Sequence, residues 1–245
     1  MSAALPADPQ GLGAFAAAAG DTPATTGSDN NFHLSSSKML RVLVTSTVQT
    51  KVGSMVAYRG DLSFTRASAR KQGVGRLMKK MLSGEGVSLT TVSGKGTLYL
   101  ADEAKNIILL RLAAGESLSV TGSDVLAFED SVAWDIKVIQ GIAGMMSGGL
   151  TNVLLTGPGV VAVTCHGDPL ALTVGPGSDA FVDPDAAVAW SGHLKPTVKT
   201  DISMRGVLGR GSGESFQMAF KAEADAPGVV VIQPYEEKPM ESTSS

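Results

Sequence analysis

Apolar and polar residues alternate along most of the chain, which is the spacing of a β-strand with one buried face. The alternation is clearest from Met39 to Val48. Gly94 and Gly96 divide another such segment into two halves, and Gly115 hinges a third. The strand-like segments lie at 39–48, 89–100, 106–120, 153–164, 170–174 and 228–233. The pattern therefore predicts an all-β protein with short strands and tight glycine turns.

One segment carries a helical pattern instead. In 68–82 four apolar residues recur at helical spacing with basic residues between them, although two glycines weaken the first half. A further segment, 136–146, fits either a strand or a short helix. The sequence thus predicts at most one or two short helices.

The two ends of the chain lack this periodicity. Residues 1–30 are rich in Ala, Gly, Asp, Thr and Ser, and residues 235–245 are similarly polar. Such composition is typical of disordered tails. We therefore expect one β domain over 31–234 between two disordered tails.

Composition excludes several classes of protein. The chain has 245 residues, and its hydrophobic share of 43% can form a sizeable core. It has a single cysteine, which excludes an internal disulfide and a cysteine-based zinc site. No apolar run approaches the length of a spanning helix, and the first residues lack the basic region of a secretory signal. The net charge of −3 argues against a dedicated duplex-binding protein. The sequence predicts a cytoplasmic location.

A short motif occurs three times. Each copy ends in Val-Ala followed by an aromatic residue, and each follows a strand of Leu-x-Val form. The aromatic residues are Tyr58, Trp134 and Trp190. The repetition predicts three β units packed around a pseudo-threefold core, with this aromatic residue as the core anchor of each unit.

Several motifs also resemble a known family, altered inheritance of mitochondria (mitochondrial biogenesis). The resemblance covers about 31–234, and its motifs recur in the order of the family. They are Val52-Gly-Ser-Met-Val-Ala-Tyr-Arg-Gly-Asp61, Leu82-Ser-Gly-Glu-Gly86, Leu154-Leu-Thr-Gly-Pro-Gly159, Val182-Asp-Pro-Asp185 with Val-Ala-Trp190, Gly211-Ser-Gly-Glu-Ser-Phe216 and Val231-Ile-Gln-Pro234.

The resemblance implies a β-fold related to the tryptophan RNA-binding attenuation protein, similar to a short double-stranded β-helix. For mitochondrial members it implies a role in inner-membrane organisation. The chain lacks an Arg-rich presequence and so looks like a bacterial-type member. For such members the resemblance implies no activity.

The sequence offers few groups for chemistry. Cys165 and His166 are adjacent, so on a strand they point to opposite faces and do not form a nucleophile–base pair. Asp183 and Asp185 could hold a weak hard cation, but Asp-Pro-Asp is typical of a turn. The glycine-rich segment 205–214 is better explained by turns or bulges than by a phosphate loop, with anion binding there as a weaker hypothesis. We expect no catalytic, cofactor-binding or metal-binding residues, and no cofactor.

A basic cluster stands out on this acidic chain. Six basic residues occur within 15 positions that contain no acid. The cluster is either a solvated helix face or a contact for an anionic membrane surface or a partner. Nucleic acid is a weaker alternative, because the segment lacks aromatic residues that could stack on bases. Its members are Arg66, Arg70, Lys71, Arg76, Lys79 and Lys80.

These observations favour a non-enzymatic scaffold or interaction protein. Short β units leave exposed edge strands, so we expect a protein partner or self-association, with an anionic membrane as a further contact. The alternative is a β module that binds a small molecule or RNA between its units. The residues do not identify the partner.

Overall fold

The structure, a computed structural model, describes residues 31–66, 88–139, 151–200, 216–222 and 226–234. Over these residues the chain is nearly all β, which confirms the predicted fold class, and the helical elements are two single 3-10 turns, Gly122–Asp124 and Pro184–Ala186. The predicted tails and the predicted helix at 68–82 lie outside the described residues. The strands are β1 (Phe32–Ser36), β2 (Met39–Val44), β3 (Thr47–Lys51), β4 (Met55–Arg66), β5 (Leu89–Leu100), β6 (Asn106–Leu112), β7 (Ser117–Thr121), β8 (Val125–Glu129), β9 (Ala133–Val138), β10 (Thr151–Thr156), β11 (Gly159–Cys165), β12 (Leu170–Val174), β13 (Ala180–Val182), β14 (Ala187–Ser191), β15 (Thr197–Thr200), β16 (Phe216–Phe220) and β17 (Gly228–Ile232).

The largest sheet has eight strands and is nearly closed into a barrel. Its strand order is β1-β2-β5-β3-β8-β11-β6, and β4 pairs with β5 beside this path. The two ends of the sheet approach each other where the backbone N–H of Ile107 donates to the carbonyl of Ser37 at 2.7 Å. The other sheets have the orders β12-β17-β14-β7-β10-β9 and β13-β16-β15.

Strand β11 shows why the interior strands read as continuous apolar runs. All seven of its residues are buried. Val161 and Val163 pack into one hydrophobic cluster, whereas Val160 and Ala162 pack into another. Since successive side chains point to opposite faces, a strand between two cores needs apolar residues at every position.

Strand β2 lies at the surface of the same barrel and shows the other pattern. Leu40, Val42 and Val44 are buried, and the residues between them are exposed or half-buried. This alternation agrees with the sequence prediction for 39–48, although the structure divides that segment between β2 and β3.

The same strand order recurs in four antiparallel triplets within the described residues. They are β2-β5-β4, β7-β10-β9, β12-β17-β14 and β13-β16-β15, and each of the first three contains one of the motif's aromatic residues. A third hydrophobic cluster, which includes Trp190 and Phe220, packs beside the last triplet. The recurrence agrees with three similar units, and the threefold repeat itself stays a prediction.

Candidate interaction surface

The charged groups of the interior are paired with one another. Lys105 Nζ lies 3.0 Å from Asp124 Oδ1, and the two side chains are only 4% and 2% exposed. Nearby, Lys51 Nζ lies 2.8 Å from Asp102 Oδ2. The hydroxyl of Thr164 donates to the Asp102 carboxylate at 3.4 Å. Removing one partner of a buried pair leaves an uncompensated charge, so these groups act in stability. Residues this far apart in the sequence carry no spacing signal, so these pairs are not predictable from it.

Cys165 is the last residue of β11, and His166 follows it. Cys165 is fully buried in a hydrophobic cluster. Burial raises the pKa of its thiol, the carboxylates of Asp124 and Asp168 raise the pKa further, and Lys105 lowers it. A reactive cysteine needs a lowered pKa and solvent access, so Cys165 is a structural residue.

The Asp-Pro-Asp segment is a turn. The Asp183 carboxylate accepts a hydrogen bond from the backbone N–H of Asp185 at 2.8 Å and caps the 3-10 turn that follows. The cation-binding alternative has no third ligand, because no group of three or more His, Cys, Asp or Glu residues suited to a metal occurs among the described residues. The predicted anion-binding segment 205–214 lies outside them.

The three predicted aromatic anchors lie in different surroundings. Trp190 is 2% exposed and its ring lies 5.6 Å from that of Phe220. Trp134 is half-buried, 6.4 Å from the ring of Phe128. Tyr58 is 48% exposed, so its prediction as a core anchor is wrong. The motif places each of the three on the outer strand of a triplet, where it lies opposite a residue of the middle strand, so the three positions are equivalent in the strand pattern although their exposure differs.

Strand β4 differs from the rest of the sheet in its exposure. It is twelve residues long, and every residue except the half-buried Leu62 is exposed. Among the described residues it pairs with β5 alone. Tyr58 and Phe64 lie opposite the buried Leu98 and Val92 of β5, so they extend the core face of the sheet into solvent. Monomeric proteins rarely leave a long apolar edge strand uncovered.

The ribbon formed by β4 and β5 bends sharply. Tyr58 and Phe64 are six residues apart, about 20 Å in an extended strand, yet their ring centroids lie 5.3 Å apart. Gly60 sits in the bend at φ +94°, and an added Cβ there would lie 2.6 Å from the Lys95 carbonyl. The apolar side chains of β4 therefore line the concave face of a glycine-dependent bend.

Charged residues flank the bend on the opposite face. Asp61 lies directly across from Lys95 of β5, and Arg59 lies across from Thr97. Neither Arg59 nor Asp61 forms an ion pair among the described residues. Arg66 is exposed at the end of β4. The remaining members of the basic cluster lie outside the part of the chain that the structure describes: Arg70, Lys71, Arg76, Lys79 and Lys80.

A signal for this surface was present in the sequence. Val56, Tyr58, Leu62 and Phe64 occupy alternate positions, and Gly60 lies among them. That pattern predicts an amphipathic strand, but it does not tell whether the apolar face is covered. Exposure depends on which strands pack around it, and only the three-dimensional structure provides that.

We define the β4 ribbon as Met55–Arg66 together with its pairing to β5. No helix within the described residues is long and apolar enough to cross a membrane. An exposed apolar strand with unpaired charges and a free edge is suited to binding another polypeptide by strand pairing.

Comparisons with known proteins agree on family and fold. Residues 32–235 match the family described as mitochondrial biogenesis AIM24. The chain is also similar to the crystal structure of a Streptococcus pyogenes protein, at 21% sequence identity and a TM-score of 0.61, over 84% of this chain and 92% of that one. No curated protein matches the chain significantly. At this identity the structural likeness concerns the fold alone.

Proposed function

The chain belongs to the mitochondrial biogenesis AIM24 family, and from that premise we propose that it is a non-enzymatic scaffold or interaction protein whose contact surface is the β4 ribbon. The observation that carries the proposal is the exposure of an apolar strand on an otherwise well-packed sheet. Val56 and Tyr58 are about half exposed, whereas Leu98 and Leu100 of the adjacent strand are fully buried.

The position of the apolar side chains supports this role. Burial of apolar area is the main driving force of protein association. Tyrosine and other aromatic residues are enriched at interfaces, because they supply a large contact area at a low entropic cost. Tyr58 and Phe64 contact each other on the concave face, so this area is already ordered before a partner binds. Preorganisation of this kind lowers the cost of binding.

The state of the polar groups supports a non-enzymatic role. The half-buried Lys51 and the buried Lys105 each form an ion pair with a carboxylate. The pKa of Cys165 is raised rather than lowered, which is the opposite of what a nucleophile needs. A free buried cysteine also fits a reducing compartment, so we propose the cytoplasm as the location.

Other contacts remain as proposals beside this one. Arg66 ends β4, so the basic cluster continues directly from the apolar strand in the sequence. Contact of this segment with an anionic membrane would make the protein peripheral to that membrane. A β module that binds a small molecule or RNA is the alternative function.

Site-specific photo-crosslinking tests the proposed contact surface. Benzoylphenylalanine would replace Tyr58 in the full chain, expressed in its native cells, which are then irradiated. The matched control replaces Phe181, an aromatic residue of similar exposure (49%, against 48% for Tyr58) on β13. We expect a discrete crosslinked product from position 58 and none of the same mass from position 181.

The mass of the crosslinked product also distinguishes self-association from binding to a different partner. A product of twice the chain mass identifies a second copy, and a product of another mass identifies a different partner. Either result supports an interaction role for the β4 ribbon. No product at position 58, or the same products at both positions, would overturn it.

A further inference from the structure

The β4 strand has a sequence that is nearly self-complementary about Gly60. From position 56 to position 64, residues at equal distances from Gly60 are opposite in charge, both apolar or both small. Arg59 is matched by Asp61, Tyr58 by Leu62, and Val56 by Phe64. A strand with this symmetry fits a second copy of itself in antiparallel orientation, because antiparallel pairing reverses the order of residues.

We propose that two copies of the chain associate by antiparallel pairing of their β4 strands around a two-fold axis at Gly60. The inference rests on the proposed function and names its partner, a second copy of this chain. The free edge of β4 supplies the backbone groups, since within the described residues β4 pairs with β5 alone. Pairing of two equivalent edges is isologous and closes at a dimer.

Charge complementarity supports this pairing. Arg59 lies opposite the second copy's Asp61, and by symmetry Asp61 lies opposite the second copy's Arg59. Asp61 already lies across from Lys95 within its own chain. The dimer therefore contains two rows in which an aspartate is flanked by basic residues on both neighbouring strands. Opposite charges directly across a strand pair are stabilising.

Apolar side chains complete the opposite face. Tyr58 lies beside the second copy's Leu62, and Val56 beside its Phe64. Tyr58, Leu62 and Phe64 belong to the row that continues the core face of β5, and Val56 lies at the β-bulge that precedes this row. Val56, Tyr58 and Phe64 are exposed large apolar residues in the single chain. The pairing extends the hydrophobic face of one barrel onto that of the other.

Neighbouring registers are less favourable. A shift by one residue places the apolar face of one strand beside the polar face of the other. Centring the axis on Arg59 places Arg59 opposite itself, and centring it on Asp61 places Asp61 opposite itself. Like charges directly opposite each other destabilise a strand pair. Of these registers, the one centred on Gly60 pairs opposite charges.

The bend of the ribbon fits the same axis. A two-fold axis perpendicular to the sheet brings the bends of the two strands side by side only if the axis passes through the position of the bend. Gly60 lies there, between the contacting rings of Tyr58 and Phe64 in the sequence. The two ribbons can then curve together, so pairing does not require either strand to straighten.

Charge reversal tests the register through sedimentation velocity of the full chain across the micromolar range. Arg59→Asp and Asp61→Arg each place like charges at two symmetric positions. We expect wild type to dimerise and each single variant to weaken the dimer by about tenfold or more. An equimolar mixture of the two variants restores complementary pairs and should form a heterodimer. The double variant, Arg59→Asp with Asp61→Arg, should recover self-association.

The control is Lys195→Asp, which reverses the charge of an exposed residue outside the β4 ribbon and should leave the dimer unchanged. A monomeric wild type, or single variants that dimerise like wild type, would overturn the pairing. Failure of both the mixture and the double variant to recover association would also overturn it. A monomeric wild type overturns the strand pairing, whereas the crosslink at position 58 tests the proposed interaction role. The two proposals can therefore fail separately.

Discussion

Cys165 shows how position determines the chemistry of a single residue. In the sequence it is next to a histidine, and in the structure its side chain is buried in a hydrophobic cluster. The neighbouring backbone N–H of His166 donates to the side-chain carbonyl of Gln233 at 2.9 Å. Burial and nearby carboxylates raise the pKa of the thiol, so the folded state favours its neutral form.

The raised pKa of Cys165 predicts a pH-dependent stability. In the unfolded chain the thiol ionises near its ordinary pKa of about 8.5, whereas in the folded chain it stays protonated to higher pH. Its contribution to the free energy of unfolding is therefore fully present below about pH 8.5 and is lost as the pH rises towards the folded-state pKa. Urea unfolding should show wild type losing stability above this pH more steeply than Cys165→Ala.

The free energy of unfolding of each protein at neutral pH is the baseline for its own pH curve. Cys165→Ala is less stable there because the smaller side chain leaves a cavity. Other titrating groups are common to both proteins, so only the difference in slope reports the thiol. Parallel curves for the two proteins would contradict a raised pKa.

The aromatic residues show what residue-level patterns leave open. Val-Ala-aromatic motifs correctly indicated a buried Trp190 but also suggested a buried Tyr58. Both residues directly follow Val-Ala in the sequence. They differ in what lies above them: Phe220 and the third hydrophobic cluster cover Trp190, whereas β4 has a neighbouring strand on only one side among the described residues. Local sequence does not encode that difference.

At the scale of elements, alternation predicted strands well where one face is buried. It gave the bounds of β12 and the hinge at Gly115 between β6 and β7. It was wrong for β5, which is one continuous strand rather than two halves. Gly94 and Gly96 bend this strand without ending it, because an added Cβ would lie 2.2 Å from a β4 carbonyl at either position. A glycine that allows close approach looks like a turn glycine in the sequence.

This difference between glycines predicts unequal effects of the same substitution. Gly94 has φ +116° and an added Cβ would lie 2.2 Å from the Asp61 carbonyl. Gly115 has φ +79° with nothing within 4 Å of an added Cβ. We expect Gly94→Ala to lower the free energy of unfolding by about 3 kcal/mol, and Gly115→Ala by about 1 kcal/mol, since the second adds only backbone strain. Equal losses in urea unfolding would contradict the role of Gly94 in the bend.

At the scale of the whole molecule, the structure joins segments that are distant in sequence. The paired ions Lys51–Asp102 and Lys105–Asp124, and the pairing of β3 with β8, connect parts that have no common motif. The all-β class was predictable because it depends on local periodicity. The partition into three hydrophobic clusters was not, because it depends on long-range pairing.

The central claim is that the β4 ribbon joins two copies around Gly60. Cysteine crosslinking tests it most directly, since a disulfide needs Cα atoms about 4.4–6.8 Å apart. The exposed residues Ala57 and Ser63 lie on the convex face at equal distances from Gly60, so each should lie opposite the other in a second copy. The native Cys165 is buried and gives little background.

The measurement is the yield of disulfide-linked dimer under mild oxidation, read on a non-reducing gel. An equimolar mixture of the full chains Ala57→Cys and Ser63→Cys should crosslink efficiently. Either variant alone should remain largely uncrosslinked, because its two cysteines would be six residues apart along the paired strands. No crosslink in the mixture, or equal crosslinking by Ala57→Cys alone, would contradict the claim.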